Sequence, residues 1–499
     1  MVCAAILHLA FPRSGWWWLA PFALAGTLAS WSMLTPRAAA FAGFASGLAF
    51  FALGFSWFAE TAGSLVGAAW PLLVAGPAAL EAITWAIVAV LVSLSARYAD
   101  ARAFPFVAAA LFALGEWWRS SGTFGLPFSQ LGVAMIDSPL RPLAAYAGGY
   151  GVTFATALLA ASLGWWFIAR KDTARAAAAI GTWAGVALIA AVAWIAWPAR
   201  HLPPPQRTVA AVQGGIAQTV KHSDTGFALA VERYTSLTAR LASAHPSLVL
   251  WPETVITDDF LSAADPALSR DFAALARTLN AQLWVGTVHA ISGGGANVLA
   301  VYDPHTPANA AGAPYALYGK EQLVPFAEFL PGPAWLRTLP LANEVGHFVP
   351  ITSAQREVIG GASPLICWES VFGDIAQARV RAGASLLLIA TDDAWFGTTQ
   401  GPYEHAQAAS LRAVESGRWV LRAAATGVSG IIAPDGTWTA RTEVSLVPRI
   451  VVGKVGAPAD VPYARMGPTP IVVMLALVVV VGFMFGNLRA IGAPSTSSG

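Results

Sequence analysis

The chain has 499 residues, of which 56% are hydrophobic and 11% charged, with a formal net charge of +2 and a mean hydropathy of +0.58. Soluble domains carry about 25% charged residues, so much of this surface faces something other than water; without a dense Lys/Arg stripe the composition also argues against nucleic-acid binding. With only Cys3 and Cys367, a disulfide framework and a cysteine-rich metal site are excluded.

Residues 1–199 come first, as long apolar runs broken by short Arg- or Pro-bearing connections. A spanning helix needs about 17–25 mostly apolar residues. That rule predicts membrane segments at about 15–34, 39–59, 67–95, 104–118, 143–169 and 178–197, with a shorter, partial or tilted one at 3–12. The next apolar segments follow at once, and no clear Ala-x-Ala site precedes polar sequence, which disfavours a cleaved signal peptide. Trp16-Trp17-Trp18 and Trp117-Trp118 fit interfacial aromatic belts. Glu60, Glu81 and Glu116 lie in or beside spans, where carboxylates are costly. Glu60 and Glu116 read as segment ends; for Glu81 the sequence names no partner.

Residues 200–465 carry charge throughout and read as a soluble domain. The Pro-rich joint at 201–207 and the stretch 461–470 bound it, and 466–499 holds a last span at 468–487 with a short tail. Positive charge in short loops sets orientation. One set of connections holds Arg37, Arg97, Arg102, Arg170, Lys171, Arg175 and Arg489, the alternate set Arg13, Arg119 and Arg141. The richer set is expected in the cytoplasm, which puts 200–465 on the other face, the periplasm of a bacterium with an outer membrane.

Within that domain, strand-like runs are expected at Thr208–Gln213, Leu248–Trp251, Gln282–Val288, Val298–Tyr302, Pro364–Cys367, Ser385–Thr391 and Trp419–Ala424. Helical patterns fall near 226–243, 265–280, 373–382 and 403–417. This alternation predicts an α/β, layered α-β-β-α domain. The turn signals Gly293-Gly294-Gly295 and Pro434-Asp435-Gly436 sit between strands, where hairpins need them.

Three strand ends carry reactive groups: Trp251-Pro252-Glu253, Tyr318-Gly319-Lys320-Glu321 and Ile366-Cys367-Trp368-Glu369. An unassisted thiol titrates near about 8.5 and attacks as thiolate. Glu253 would take its proton, best if apolar neighbours such as Trp251 raised the carboxyl's pKa. Lys320 would favour the thiolate and, with the backbone N–H of Trp368, hold a tetrahedral oxyanion. Singly, each has a plain structural reading: a buried cysteine is usually inert core, and a Glu or Lys at a strand end is usually solvated. No HExxH, phosphate loop or dinucleotide fingerprint occurs in a supporting context. His245, His289, His305, His347 and His405 show no ligand spacing and read as surface or packing residues, although His405, on a helix C-terminal to Ala394-Trp395-Phe396-Gly397, could approach the site; neither metal nor cofactor is expected.

In that order, Trp-Pro-Glu, Gly-Lys-Glu-x-Leu-Val-Pro-Phe-x-Glu and Cys-Trp-Glu resemble the signature elements of the nitrilase superfamily. With its flanking spans and Ala394-Trp395-Phe396-Gly397, the whole chain resembles that superfamily's membrane-bound branch, the apolipoprotein N-acyltransferases. The resemblance implies a catalytic triad of Glu253, Lys320 and Cys367. It also implies a second glutamate assisting the lysine (Glu328), a further required acid (Glu369) and a supporting asparagine (Asn297). Trp368 stands where this family more usually has Tyr, and Asp392 where it more usually has Asn. Gly215 and His222 stand where Asp or Asn and Trp are expected.

The implied reaction moves an acyl chain from a glycerophospholipid, phosphatidylethanolamine above all, through a cysteine thioester to the N-terminal amine of a diacylglyceryl apolipoprotein. Partners are then the bilayer and these two lipidated substrates, with no nucleic acid. A membrane-tethered amidase or nitrilase passing its acyl group to water is the alternative. A transporter or scaffold is disfavoured by the intact triad and by spans expected to lack paired charges. The apolar stretch 333–341 is expected either to dip into the interface or to pack against the core.

Overall fold

The computed structural model describes residues 1–59, 70–122, 124–262, 266–306, 312–332, 335, 338, 345–352, 355 and 357–492. Glu60 and most of the 333–341 stretch lie outside the described residues. The described chain forms two compact units, one from 1–59, 70–197 and 466–492, the other from 198–465.

The first unit is helical: Val2–Leu7, Ala20–Met33, Pro36–Gly54, Trp70–Tyr98, Phe104–Arg119, Ala144–Ile168, Thr173–Ile195 and Thr469–Gly492 are its longer helices. Among the described residues, five stretches are long and apolar enough to cross a membrane: Pro36–Gly54, Val74–Tyr98, Arg141–Ile168, Thr173–His201 and Thr469–Gly486. The segment expected at 15–34 is an α-helix only over the 14 residues Ala20–Met33, whereas the short one expected at 104–118 is helical over Phe104–Arg119. Pro21 and Pro105 occupy their first turns, where a missing N–H costs nothing, and Pro21 marks why the first of them starts at Ala20 rather than near residue 15. The stretch at 3–12 folds as a six-residue helix and a 3-10 turn.

Small residues let the Pro36–Gly54 and Trp70–Tyr98 helices approach closely: a Cβ on Gly43 would stand 2.6 Å from the Trp85 carbonyl oxygen. Ile180, Leu188 and Ile195 on one helix, and Val473, Leu477 and Met484 on another, leave large apolar side chains exposed. Lipid tails, not water, suit such faces.

Three expectations about this unit need correction. Arg119, counted as a loop charge, is buried, and it pairs with Glu81 at 3.3 Å and Glu116 at 3.4 Å. Its guanidinium also donates to the carbonyls of Leu126, Phe128 and Ser129, each at 2.9 Å. Glu116 accepts further from the Leu131 N–H at 3.1 Å and the Thr153 hydroxyl at 2.8 Å. The spans therefore do hold paired charges, and Glu116 is a buried junction rather than a segment end. Hydropathy along one helix cannot show this, because Glu81 reaches Arg119 from a separate helix and the carbonyl acceptors from the connection that follows.

The second unit is a four-layer α-β-β-α sandwich. One sheet has the order β11-β1-β2-β3-β4-β5, the other β10-β9-β8-β7-β6. The first is built from β1 (Arg207–Gln213), β2 (Leu248–Leu250), β3 (Gln282–Ile291), β4 (Gly294–Tyr302), β5 (Ala316–Gly319) and β11 (Arg449–Val455). The second comprises β6 (Ala362–Ile366), β7 (Leu386–Thr391), β8 (Trp419–Ala424), β9 (Gly430–Ile432) and β10 (Trp438–Arg441).

Alternation along the strands divides the core. Val209, Ala211, Leu248 and Leu250 face Leu386, Leu388, Leu421 and Ala423 between the sheets. Ala210, Val212 and Trp251 pack outward on Tyr234, Phe272 and Ala276 of the Asp224–Ala239 and Ala267–Leu279 helices. Leu365, Leu387 and Val420 do the same on Ala376 of Gly373–Arg381 and on Ala409 and Ala413 of Gly401–Ser416. Strands covered on both faces need continuous apolar sequence, and β6, β7 and β8 are parallel and buried throughout. The two expected turns join antiparallel pairs, β3–β4 and β9–β10. The strands that hydropathy did not predict, β9, β10 and β11, are short or lie at sheet edges, where half the surface stays polar.

Candidate active site

Side chains of interest leave the C-terminal ends of strands: Glu253 just past β2, Lys320 after β5, Cys367 after β6 and Asp392 after β7. β1, β2 and β3 run parallel, and β5 rejoins their direction through two antiparallel steps. Glu253 and Lys320 therefore emerge at one edge of their sheet.

There they meet. The Lys320 ammonium lies 3.0 Å from Glu253 Oε1 and 2.9 Å from Glu328 Oε1. Asn297 donates through Nδ2 to Glu253 Oε1 at 2.6 Å and reaches Glu328 Oε1 at 3.4 Å. The other Glu253 oxygen accepts the Asp392 backbone N–H at 2.9 Å. Glu328 Oε2 accepts the Val324 N–H at 2.8 Å, fixing the loop that carries it. Glu253 and Lys320 are buried, and the Cys367 thiol feels the charges of both and hydrogen-bonds the Thr391 side chain.

The charge pattern differs from the expected one. Burial alone would raise the Glu253 carboxyl, but the Lys320 charge and hydrogen bond, the Asp392 N–H and the Lys221 charge hold it below the ordinary glutamate value. Burial would lower the Lys320 ammonium; Glu253, Glu328 and Cys367 instead raise it well above the lysine value. Burial and the Glu253 charge push the Cys367 thiol well up, against the opposing pull of Lys320. The resting site thus holds a carboxylate, an ammonium and a protonated thiol. Trp251 does not raise Glu253, because a direct ion pair outweighs an apolar neighbour.

β6 ends at Ile366, so Cys367 is not a strand residue as expected. It has a left-handed φ of 49° and opens a 3-10 turn, Cys367–Val371. Thr254 (φ 45°) and Phe326 (φ 62°) adopt the same uncommon region close to Glu253 and Glu328. Such conformations persist where surrounding contacts over-determine them. Glu369 supplies some of those contacts. Fully buried, it accepts the Ile366 N–H at 2.7 Å, the Glu321 N–H at 2.7 Å and the Tyr318 hydroxyl at 3.1 Å. It thereby ties the cysteine turn to the lysine loop, while burial raises its own pKa. Trp368 is buried and meets Phe372 edge to face at 5.9 Å.

Sequence reasoning missed the support beneath the thiol. His405, which the sequence left between a packing residue and one near the site, is buried 2.9 Å from Asp393. Its Nε2 lies 2.8 Å from the Ser370 hydroxyl and 3.2 Å from the Cys367 carbonyl oxygen. Asp393 is held ionised by Arg422 at 2.6 Å and also accepts from the Thr391 hydroxyl at 2.9 Å. The only local signal was that Asp393 and His405 flank the Ala-Trp-Phe-Gly motif. Gly215 explains its own departure from the usual residue: its φ is 63°, and a Cβ there would stand 2.4 Å from the Leu446 carbonyl oxygen. His222 pairs with Gln218 at 3.2 Å in an exposed position.

A buried carboxylate–ammonium–thiol site on the strand ends of an α-β-β-α sandwich defines the class of the nitrilase-type, thiol-dependent acyl-transfer proteins. Residues 208–444 match the model of the Carbon-nitrogen hydrolase family, and 3–162 that of the Apolipoprotein N-acyltransferase N-terminal domain. Proteins named apolipoprotein N-acyltransferase match over most of their length. The one from Ralstonia nicotianae is 30% identical, over 93% of this chain and 89% of its own. The one from Caulobacter vibrioides is 30% identical, over 91% and 87%; the one from Shewanella oneidensis is 27% identical, over 97% and 94%. Among solved structures, an amidase from Nesterenkonia sp. is 18% identical with a TM-score of 0.39, covering 54% of this chain and 97% of that one. The chain belongs to the apolipoprotein N-acyltransferase family.

Proposed function

We propose that the protein moves an acyl chain from a membrane glycerophospholipid to the free N-terminal amine of a diacylglyceryl-cysteine apolipoprotein, by way of a thioester on Cys367. What carries this reading is the Glu253–Lys320–Cys367 network in a chain that, among its described residues, also has five helices apolar and long enough to cross a membrane. Phosphatidylethanolamine is the proposed donor, and residues 200–465 are proposed to work at the periplasmic face of the inner membrane.

In the first half-reaction, Cys367 sulfur attacks the ester carbonyl while its proton passes to the Glu253 carboxylate. Lys320 has three N–H groups; two meet Glu253 and Glu328, and the third serves the oxyanion together with the Trp368 backbone N–H. The carbon–oxygen bond breaks, the departing alkoxide takes the Glu253 proton, and lysophospholipid leaves. In the second half, the neutral amine attacks the thioester and gives its proton to Glu253. The carbon–sulfur bond breaks, the sulfur recovers that proton, and the amide product leaves with the site restored. Glu328 and Asn297 keep Lys320 and Glu253 aligned, and Glu369 holds the two loops together.

Purified protein given labelled phospholipid and a diacylglyceryl peptide is expected to yield acyl-peptide, with a thioester adduct on Cys367 when the peptide is withheld. Cys367→Ser is expected to form no thioester. Labelled free fatty acid without acyl-peptide would instead establish the hydrolase alternative.

A further inference from the structure

Asp392 puts a carboxylate directly beside the base: its own N–H donates to Glu253. The second feature is Lys221, at the end of the short Gln218–Lys221 helix. Its ammonium is buried, pairs with Asp392 Oδ2 and donates to the Thr254 hydroxyl at 2.9 Å. One lysine thus bridges the two strand ends that build the base: Thr254 follows Glu253, and Asp392 supplies the hydrogen bond to its second oxygen.

We propose that Lys221 and Asp392 act as a neutral positioning pair for the general base, Lys221 cancelling the Asp392 charge so that Glu253 stays ionised and fixed. This rests on the reading of Glu253 as base. A buried carboxylate beside another unpaired carboxylate gains a proton readily. With Lys221 in place, the Asp392 charge is offset by its own ammonium, while Lys320 already faces two carboxylates, Glu253 and Glu328, and has none of its charge to spare for a third. Lys221 also contributes directly to holding the Glu253 carboxyl down. Other titratable groups acting on the pair are Cys367 beyond Glu253, His222 next to Lys221 and Tyr234 near Asp392. Neither Lys221 nor Asp392 needs to touch substrate.

The test reads the Glu253–thiol couple without lipid, as the rate of Cys367 alkylation by iodoacetamide from pH 4.5 to 8, followed by peptide mass. The parent rate should lose little as pH falls to about 5, with Glu253 ionised throughout. Lys221→Gln keeps a hydrogen-bonding side chain but deletes the charge; its profile should acquire an acid limb about one to two pH units higher than the parent's. Adding Asp392→Asn to that variant removes the stranded carboxylate and should return the profile to within about threefold of the parent at every pH. Lys221→Arg should keep the parent profile, because it keeps the charge. Thermal melting checks folding, and Lys221→Met is the second charge-deleting variant, with the same limb expected. A Lys221→Gln profile that parallels the parent's, or a double variant whose losses multiply, overturns the proposal. Failure of the acyl-transfer reading looks different: no thioester forms from phospholipid although the alkylation pattern holds.

Discussion

A carboxylate, an ammonium and a thiol can share protons in several ways, and the partners of Glu253 decide among them. Its carboxyl lies below the ordinary value and the Cys367 thiol well above its own, so the proton stays on sulfur until a carbonyl arrives. The sign of the pH dependence follows. A base with a depressed pKa keeps its function until pH falls through that depressed value, below about 4.5, and Lys320 stays charged far into the alkaline range. Thioester formation in single turnover is therefore expected to be flat between about pH 5 and 8, with Glu253→Gln lowering it about 10²–10⁴-fold throughout. Aminolysis of the thioester should rise with pH through about 7.7–8.0, where the acceptor's α-amino group loses its proton. A steep fall of the first step between pH 7 and 5 would mean that Glu253 is not the base. The reactive residues were legible because each ends an apolar run in a distinctive local string. Lys221, Thr391, His405 and Arg422 were not, because each matters only through a neighbour distant in sequence.

Among the elements, the Phe104–Arg119 helix carries the plainest energetic test. Arg119 neutralises Glu81 and Glu116 and satisfies three carbonyls of the connection that follows. Removing one member of a buried ionic cluster leaves the others charged and unpaired, at a cost of about 3–5 kcal/mol. Arg119→Met is expected to lower the melting temperature of the detergent-solubilised protein sharply. Arg119→Lys should recover little, since a point charge cannot serve five acceptors from two helices and a loop. Adding Glu81→Gln and Glu116→Gln to Arg119→Met should recover part of the loss; no recovery would show that the arginine's packing, not its charge, matters. Pattern reading located the helices flanking the sandwich because their apolar periodicity is local. It placed membrane segments by apolar length alone and so overextended the one at 15–34, whose α-helix Pro21 starts late.

At the scale of the whole molecule, orientation is the open quantity, and buried Arg119 bears on it. Without that charge among the loop residues, the bias toward Arg37, Arg97, Arg102, Arg170, Lys171 and Arg175 is stronger than the raw sequence suggests. In intact cells of a bacterium with an outer membrane, a reagent confined to the periplasm should label Thr437→Cys and spare Arg170→Cys, both made in a chain lacking the native cysteines. The reverse pattern would place the catalytic sandwich in the cytoplasm and remove its proposed access to lipoproteins. By itself, the order of residues determined that the chain has apolar helices and an α/β sandwich, and which strand ends carry Glu253, Lys320 and Cys367. These are properties of short segments, set by hydropathy period and local motif. Only tertiary structure decided how protons are shared, why Cys367 adopts a left-handed turn, and that charges lie paired among the helices. Each of those depends on fields and contacts between groups that the chain brings together only by folding.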